Sequence, residues 1–319
     1  MTRIVFLGTS DFSVPVLEAL VAAHEVVAVY TQPDRPSGRG LRSEPSSVKR
    51  KAVELGLPVL QPARLREPGV VDVLSGFKAE VVVVAAYGQI LPNAVLAVPP
   101  KGCLNVHPSL LPRYRGPSPI QASILSGDPE TGVTVMLMDE GMDSGPLLAQ
   151  RRYELPGEMA AGALTRTLAH QGSELLLAIL PSWLDGKVMP HLQAEAEVTF
   201  CHMFTKADGA INWGLSALEL DRRVRAFNPW PGCFTSWRGR RLLIHEAIPF
   251  LDAGGGVPGR VVATTGRPGV EIGVETGQGV LGLVRVQLEG KRPMLAGEFV
   301  RGQRDFLGAV LPGLVLPRL

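Results

Sequence analysis

Residues 2–30 read Thr2-Arg-Ile-Val-Phe-Leu-Gly-Thr-Ser-Asp-Phe-Ser-Val-Pro-Val-Leu-Glu-Ala-Leu-Val-Ala-Ala-His-Glu-Val-Val-Ala-Val-Tyr30. Two runs rich in β-branched residues, Arg3–Leu7 and Val26–Tyr30, have the composition of buried strands. Between them, apolar residues recur at helical spacing, as a crossover helix requires: Val14, Val16, Leu17, Leu20 and Val21. The stretch therefore predicts a strand, a covering helix and a second, parallel strand.

The same alternation continues through the first half of the chain. Further strands are predicted at Val81–Ala86, Leu104–Val106 and Val133–Met138, and a long helix through Ala160–Leu184. The predicted fold class is α/β, with a doubly wound, mainly parallel, Rossmann-like sheet. Only one glycine, Gly8, follows the first strand, so the three-glycine pattern of a dinucleotide site is missing and a nicotinamide dehydrogenase is poorly supported.

The second half of the chain has a different texture. Residues 187–210 are polar and irregular, and glycine-rich turns then separate short alternating runs that predict strands at Leu242–Ile248, Arg260–Thr264, Val270–Val274 and Val280–Gln287. A small β-barrel is the economical interpretation. We therefore expect a first domain over residues 1–188, a linker over 189–207 and a second domain over 208–319.

Composition excludes several classes of protein. The chain has 319 residues, of which 45% are hydrophobic, enough to form a core. Its longest aliphatic run, Val81–Ala86, is too short to span a bilayer, and the first residues lack a cleavable signal pattern, so we expect a cytoplasmic protein. Three widely spaced cysteines and six scattered histidines favour neither a disulfide framework nor a metal site.

Positive charge is concentrated in two islands. Residues 31–51 contain six basic side chains against two acidic ones, a net of +4, and residues 220–241 contain six against one, a net of +5. Such islands on a chain of net charge +2 suggest a polyanionic partner. Charge alone also fits two solvated faces, and that alternative stays open at this point.

Candidate catalytic residues lie in the segment from Gly102 to Gln121. Asn105 and His107 alternate with apolar residues, so on a strand both side chains point to the same face. The proline-rich loop that follows, residues 108–119, should leave the carboxyl end of that strand, where open α/β sheets bind ligands. Asp143, between Gly141 and Gly145 in the loop after Val133–Met138, is the best candidate to pair with His107. The bland alternative is a pair of hydrogen-bonded polar residues near a strand end.

These motifs resemble the methionyl-tRNA formyltransferase family, within the wider group of enzymes that use 10-formyltetrahydrofolate. The matching segments are residues 31–40, 84–88, 105–121, 132–145 and 225–232. The resemblance implies Asn105, His107 and Asp143 as the catalytic trio and an OB-like second domain that holds tRNA. It also implies folate contacts at Ser109, Leu110, Leu111, Pro112, Tyr87, Gly88, Gln89 and Ile90, and tRNA contacts at Arg35, Arg39 and Arg42, with Arg39 on the family's key arginine.

The resemblance implies a monomeric enzyme that formylates methionyl initiator tRNA with a folate donor and needs neither metal nor membrane. Three alternatives remain. A formyltransferase for an amino-sugar nucleotide would use the same trio, but the basic segment of residues 35–42 favours RNA. A hydrolase of formyl-folate would have little use for that segment or for the barrel. A nucleic-acid-binding module with a decayed enzymatic half would not keep Asn105, His107 and Asp143.

Overall fold

The structure is a computed structural model. It describes residues 1–37, 42–252, 255–264 and 269–313, and the side chains of residues 35–37 and 42–43 are not described. The chain forms two compact units. The first contains Met1–Pro119, Pro129–Leu155 and Leu164–His202, and the second contains Ile120–Asp128, Pro156–Ala163 and the chain from Met203 onward.

A seven-stranded sheet forms the centre of the first unit. Its strands are β1 Arg3–Gly8, β2 Glu25–Tyr30, β5 Val59–Leu60, β6 Val81–Ala85, β7 Cys103–His107, β8 Glu130–Leu137 and β9 Leu147–Glu154. The order across the sheet is β5-β2-β1-β6-β7-β8-β9, and every pair from β5 to β7 is parallel. Two short strands, β3 Arg35–Ser37 and β4 Arg42–Glu44, form a separate antiparallel pair.

Helices cover both faces of this sheet, which confirms the doubly wound, mainly parallel fold. The helices of the first unit are α1 Ser13–Ala23, α2 Ser47–Glu54, α3 Val70–Gly76, α4 Asn93–Leu96 and most of α6 Ala161–Leu184, whereas α5 Pro119–Ser126 belongs almost wholly to the second unit. One buried cluster joins Leu74 of α3 and Val95 of α4 to strand residues that include Val84 and Cys103. The opposite face of β7 packs on α6, where Gly172 approaches Val106.

The far edge of the sheet is antiparallel. Strand β8 pairs with β7 in the opposite direction, with Leu104 beside Leu137. The end of β8 therefore lies beside the beginning of β7, where the Met138 amide donates to the Cys103 carbonyl. Hence the loop that carries Asp143 starts at the opposite end of β7 from the proline-rich loop, a direction that the strand pattern alone does not specify.

The turn after β1 depends on the small size of Gly8. A Cβ at this position would lie 2.7 Å from the Phe6 ring and 2.8 Å from the Ser13 Cβ. The φ angle of Gly8 itself is not positive. The glycine is therefore required for close packing of the turn against the strand and the helix, and not for a left-handed turn.

The second unit is built on a curled antiparallel sheet, which confirms the small barrel-like fold. Its elements are α7 Ala217–Ala226, β10 Cys233–Trp237, β11 Arg240–Phe250, β12 Val261–Ala263, β13 Ile272–Glu275, β14 Val280–Leu288, β15 Met294–Leu295 and α8 Ala296–Gly302. The strand order is β10-β11-β14-β13-β12, with β15 beside β14. Within the described part of the chain, no helix is both long and apolar enough to cross a bilayer.

We predict that Gly172→Ala destabilises the first unit. A Cβ at position 172 would lie 2.6 Å from Val106 Cγ1, so α6 or the strand that carries Asn105 and His107 must shift. Overpacking of this kind costs about 1–3 kcal/mol, and the better helix propensity of alanine offsets at most ~1 kcal/mol. Urea unfolding should show a net decrease in the free energy of unfolding. Gly76→Ala is the matched control, because Gly76 ends helix α3 with open space around it and should be neutral or stabilising.

Candidate active site

Strand β7 presents two polar side chains on one buried face. Asn105 is 8% exposed and His107 is 4% exposed, although both side chains are polar. Leu104 and Val106 lie on the other face, so the alternation expected from the sequence is present. Buried polar side chains require hydrogen-bond partners, and two loops supply them.

Asp143 reaches both of these side chains. Its Oδ1 accepts from Asn105 Nδ2 at 3.3 Å, and its Oδ2 lies 3.7 Å from His107 Nδ1. Oδ2 also accepts from the backbone amide of Gly116 at 2.9 Å. The structure thus brings Asn105, His107 and Asp143 together, and the Gly116 amide from the proline-rich loop completes the carboxylate's contacts.

The contact of His107 Nε2 determines the position of one proton on the imidazole ring. Nε2 lies 3.0 Å from the carbonyl oxygen of Tyr114, which can only accept, so Nε2 must donate. Nδ1 then faces the Asp143 carboxylate at a distance too long for a hydrogen bond but suited to an ion pair with a protonated ring. Both ring nitrogens therefore face protein acceptors.

The loop that carries Asp143 is closely held. Asp143 has a φ of 51°, in the left-handed region that non-glycine residues rarely adopt. Inside the loop, Asp139 Oδ1 accepts from the Gly141 amide at 3.0 Å and from Ser144 Oγ at 2.8 Å. From outside the loop, Gln193 Nε2 donates to the carbonyls of Asp143 and Gly145, each at 2.8 Å.

Sequence reasoning missed two residues of this network. Gln193 lies in the irregular stretch predicted as a linker, and no periodicity marks it there. Arg115 belongs to the proline-rich loop, and its Nε donates to Gln193 Oε1 at 3.0 Å. Arg115 could have been found from its position in the matching segment of residues 105–121, whereas nothing in the local sequence distinguishes Gln193.

The first proposed folate segment, residues 109–112, is anchored to strands β8 and β9. Ser109 is buried, with its Oγ bonded to the Arg113 carbonyl at 2.7 Å. Leu111 is only 2% exposed, and its carbonyl accepts from Gln150 Nε2 at 2.7 Å. Leu110 is half-buried and Pro112 is buried, so Leu110 is the one leucine of the pair that offers apolar surface without rearrangement.

The second proposed folate segment, residues 87–90, follows strand β6. Tyr87 is buried, and its hydroxyl has no hydrogen-bond partner within the described residues. Gly88 is exposed, and Ile90 is 65% exposed. Gln89 is turned toward the protein, since its Oε1 accepts from the Leu65 amide at 3.0 Å and its Nε2 donates to the Ala63 carbonyl at 3.2 Å.

Several cations of the two basic islands already have partners in the fold. In the first island, Lys49 pairs with Asp34 at 2.6 Å and Lys51 pairs with Glu18 at 3.0 Å. The Lys49 hydrogen bond, followed by one from Gln61, lowers the pKa of the Asp34 carboxyl. In the second island, Arg225 pairs with Asp221 at 2.9 Å, Arg238 pairs with Asp305, and Arg241 lies over the Phe234 ring.

The three arginines proposed to contact tRNA belong to the first island. Arg35 begins strand β3 and Arg42 begins strand β4, and their backbones lie in the same antiparallel pair. Arg39 lies outside the described residues. Lys49 and Lys51 are thus paired within the fold, whereas Arg50 donates to the Pro45 carbonyl at 2.6 Å and to Ser47 Oγ at 3.0 Å.

A buried thiol lies under the proline-rich loop. Cys201 Sγ accepts from the Ser118 amide at 3.3 Å and lies 3.5 Å from the Arg115 carbonyl. Burial raises the pKa of this thiol. Cys103 and Cys233 are also buried, and burial raises the pKa of each to about 12. All three cysteines are free.

Comparison with known proteins gives consistent matches over both units. The formyl transferase family model matches residues 2–180, and the model of the formyl transferase C-terminal domain matches residues 203–304. A methionyl-tRNA formyltransferase from Chloroflexus aurantiacus is 49% identical over 301 residues, which cover 94% of this chain and 96% of that protein.

Two solved structures share the fold at low sequence identity. HypX from Aquifex aeolicus, in complex with tetrahydrofolic acid, is 18% identical with a TM-score of 0.63, covering 93% of this chain and 46% of its own. An N-formyltransferase from Helicobacter canadensis, in complex with folinic acid and dTDP-3-aminofucose, is 16% identical with a TM-score of 0.62. It covers 92% of this chain and 100% of its own.

We predict that the native protein reacts very slowly with Ellman's reagent. Only a thiolate attacks the reagent, and burial keeps all three thiols protonated and inaccessible at mildly alkaline pH. In urea, the three thiols should react at once. Rapid reaction of one thiol in the native protein, removed by Cys201→Ser, would show that the proline-rich loop opens readily in solution.

Proposed function

This chain belongs to the formyl transferase family, and from that premise we propose that it transfers the formyl group of 10-formyltetrahydrofolate to the α-amino group of methionyl initiator tRNA. The identity of 49% to a methionyl-tRNA formyltransferase over nearly the whole of both chains supports this acceptor. The observation that carries the chemistry is the meeting of Asn105, His107 and Asp143 on the buried face of one strand.

Asn105 is suited to stabilise the negative charge of the reaction. Attack of the amine on the formyl carbon moves an electron pair onto the formyl oxygen, and a side-chain amide is a good donor to it. Asn105 Nδ2 donates one hydrogen to Asp143, and its second hydrogen has no partner within the described residues. That hydrogen is available to the substrate oxygen.

His107 and Asp143 divide the remaining roles. His107 lies beside Asp143, and it becomes a second donor to the oxyanion if Nε2 leaves the Tyr114 carbonyl. The attacking amine must lose a proton, and Asp143, directly or through water, is the nearest carboxylate to receive it. The bond between the formyl carbon and the folate nitrogen then breaks, and that nitrogen takes up a proton.

The donor would be held by residues 87–90 and 109–112. The buried Tyr87 hydroxyl, which has no hydrogen-bond partner among the described residues, fits a site that receives a polar group, because such hydroxyls are rarely left unsatisfied. Leu110 and Ile90 would add apolar contact for a flat ring. Ser109, Leu111 and Pro112 would act through the loop's backbone and its anchoring, and Gly88 and Gln89 through the shape of the turn.

The acceptor would be held at two places. Arg35, Arg39 and Arg42 would engage the acceptor end of the tRNA, and the OB-like domain of residues 208–319 would hold its body. Residues 1–188 would form the catalytic domain, and residues 189–207 would join the two. We expect the enzyme to act as a monomer in the cytoplasm, where initiator tRNA is charged.

One experiment distinguishes this function from its rivals. The purified protein is incubated with 10-formyltetrahydrofolate and, separately, methionyl initiator tRNA, an amino-sugar nucleotide or water alone. We expect formyl-methionyl-tRNA in the first reaction and only slow release of formate in the last. Transfer to the amino-sugar alone, or rapid hydrolysis without tRNA, would replace the proposed function.

We predict that Asn105→Ala and His107→Ala each lower kcat by ~10²–10³, the usual effect of losing one donor to an oxyanion. Asp143→Asn should be similarly impaired, because an amide does not accept the proton. Melting curves check that each variant folds. Asn93→Ala is the matched control, since Asn93 also bonds a carboxylate, Glu140, at 3.0 Å, but outside the trio. Activity near wild type in Asn105→Ala would remove the oxyanion role.

We also predict that Arg39→Leu impairs formylation of tRNA and leaves donor binding unchanged. A guanidinium both pairs with phosphate and stacks on an unpaired base, as an acceptor end requires. Loss of one phosphate contact should reduce the slope of log affinity against log salt by about 0.7–0.9. Arg66→Leu removes the same charge from an exposed position outside this segment and serves as the control. Equal tRNA affinities for Arg39→Leu and wild type at every salt concentration would contradict the RNA role.

A further inference from the structure

The segment between helix α6 and the second unit is bonded along the candidate active site. We call residues 191–201 the strap. At its start, His191 exchanges two backbone hydrogen bonds with Leu147, at 2.7 and 2.9 Å. At its end, the Thr199 carbonyl accepts from the Arg115 amide and the Cys201 amide donates to the Arg115 carbonyl, each at 2.9 Å. The strap is therefore fixed both to the end of the Asp143 loop and to the proline-rich loop.

Gln193 is the side chain of the strap that joins these two loops. It is buried, and both hydrogens of its amide are used, one for the Asp143 carbonyl and one for the Gly145 carbonyl. Its Oε1 accepts from Arg115 Nε at 3.0 Å. Arg115 is itself buried, and its guanidinium also pairs with Glu195 of the strap at 3.0 Å.

The hydrogen bond between Gln193 and Arg115 links two stretches of backbone that contact the trio. On one side, Gln193 binds the peptide carbonyl of Asp143 itself, where the chain takes a left-handed conformation. On the other side, the residues that flank Arg115 touch the reacting groups. The Tyr114 carbonyl accepts from His107 Nε2, and the Gly116 amide donates to the Asp143 carboxylate.

We propose that Gln193 is a positioning residue for the catalytic trio, which sets the distance of the Asp143 carboxylate from His107 and Asn105 by tying the Asp143 loop to Arg115. The proposal rests on the proposed function. Without the two Gln193 donors, the carbonyls of Asp143 and Gly145 lose their anchor and the carboxylate no longer has a single position. Misplacement of a catalytic group by about 1 Å costs up to ~10²-fold in rate.

Two substitutions separate the two ends of the link. Gln193→Glu keeps an oxygen that can accept from Arg115 and replaces the amide donor with an oxygen that faces two carbonyls. Gln193→Met has similar length and neither donates nor accepts. We expect both variants to lower kcat by about 10- to 100-fold, with the KM for 10-formyltetrahydrofolate changed by less than about twofold. Melting curves confirm that the variants are folded at the assay temperature.

A double-mutant cycle distinguishes positioning from a general loss of structure. If Gln193 acts through Asp143, adding Gln193→Met to the Asp143→Asn variant should lower the rate by less than about a further twofold. The rates are measured in single-turnover reactions with excess enzyme. Effects that multiply would show that Gln193 acts independently of Asp143 and would overturn the proposal.

Gln287→Met is the matched control in the second unit. Like Gln193, Gln287 bonds a backbone carbonyl through Nε2 and a basic side chain through Oε1, with Nε2 donating to the Lys291 carbonyl alone at 2.8 Å and Oε1 lying 3.0 Å from His245 Nε2. This variant should keep kcat within about twofold of wild type. If wild type formylates methionyl-tRNA and Gln193→Glu does so with the same kcat, the positioning role of Gln193 is wrong but the proposed function stands. If wild type forms no formyl-methionyl-tRNA, the proposed function fails.

Discussion

The hydrogen bond from the Gly116 amide to the Asp143 carboxylate is the contact on which the candidate site depends. It joins two loops that start from opposite ends of strand β7, so Asp143 lies over Asn105 and His107 although its own strand runs antiparallel. The left-handed backbone of Asp143 costs roughly 1–2 kcal/mol for a residue with a Cβ. A hydrogen bond to a charged group contributes about 1.5–3 kcal/mol, so this contact alone can offset that cost.

The part of the site that lies on a strand was the easiest to predict. The two-residue period of a strand places Asn105 and His107 on one face without knowledge of the rest of the fold, and β7 presents them in that way. Asp143 was chosen from its glycine neighbours, and the loop does bring it to both residues. The direction of β8 could not be predicted, because a buried strand has the same residue pattern whether it runs parallel or antiparallel.

Counting charges within a segment of sequence proved a poor guide to the charge that the segment presents to a partner, because the ion-pair partners of its residues come from other parts of the chain. Lys51 is neutralised by Glu18 from helix α1, and Arg238 by Asp305, which is far away along the chain. A charge count over residues 31–51 includes Lys51 but omits Glu18, its partner. Because Glu18 pairs with Lys51, the charge that this island offers to an anionic partner is smaller than the net of +4 suggests.

The hardest residues to predict were the anchors of irregular backbone, for a physical reason. Carbonyls in a turn such as Asp143–Gly145 have no strand or helix partner, yet a buried carbonyl left unsatisfied costs about 1–3 kcal/mol. One glutamine amide satisfies two of them, and Gln193 does so from a position 50 residues beyond Asp143. No periodic pattern identifies such a residue, because its partners are backbone atoms that any sequence would carry. A polar, irregular stretch can therefore be part of the active-site framework while having the composition of a linker.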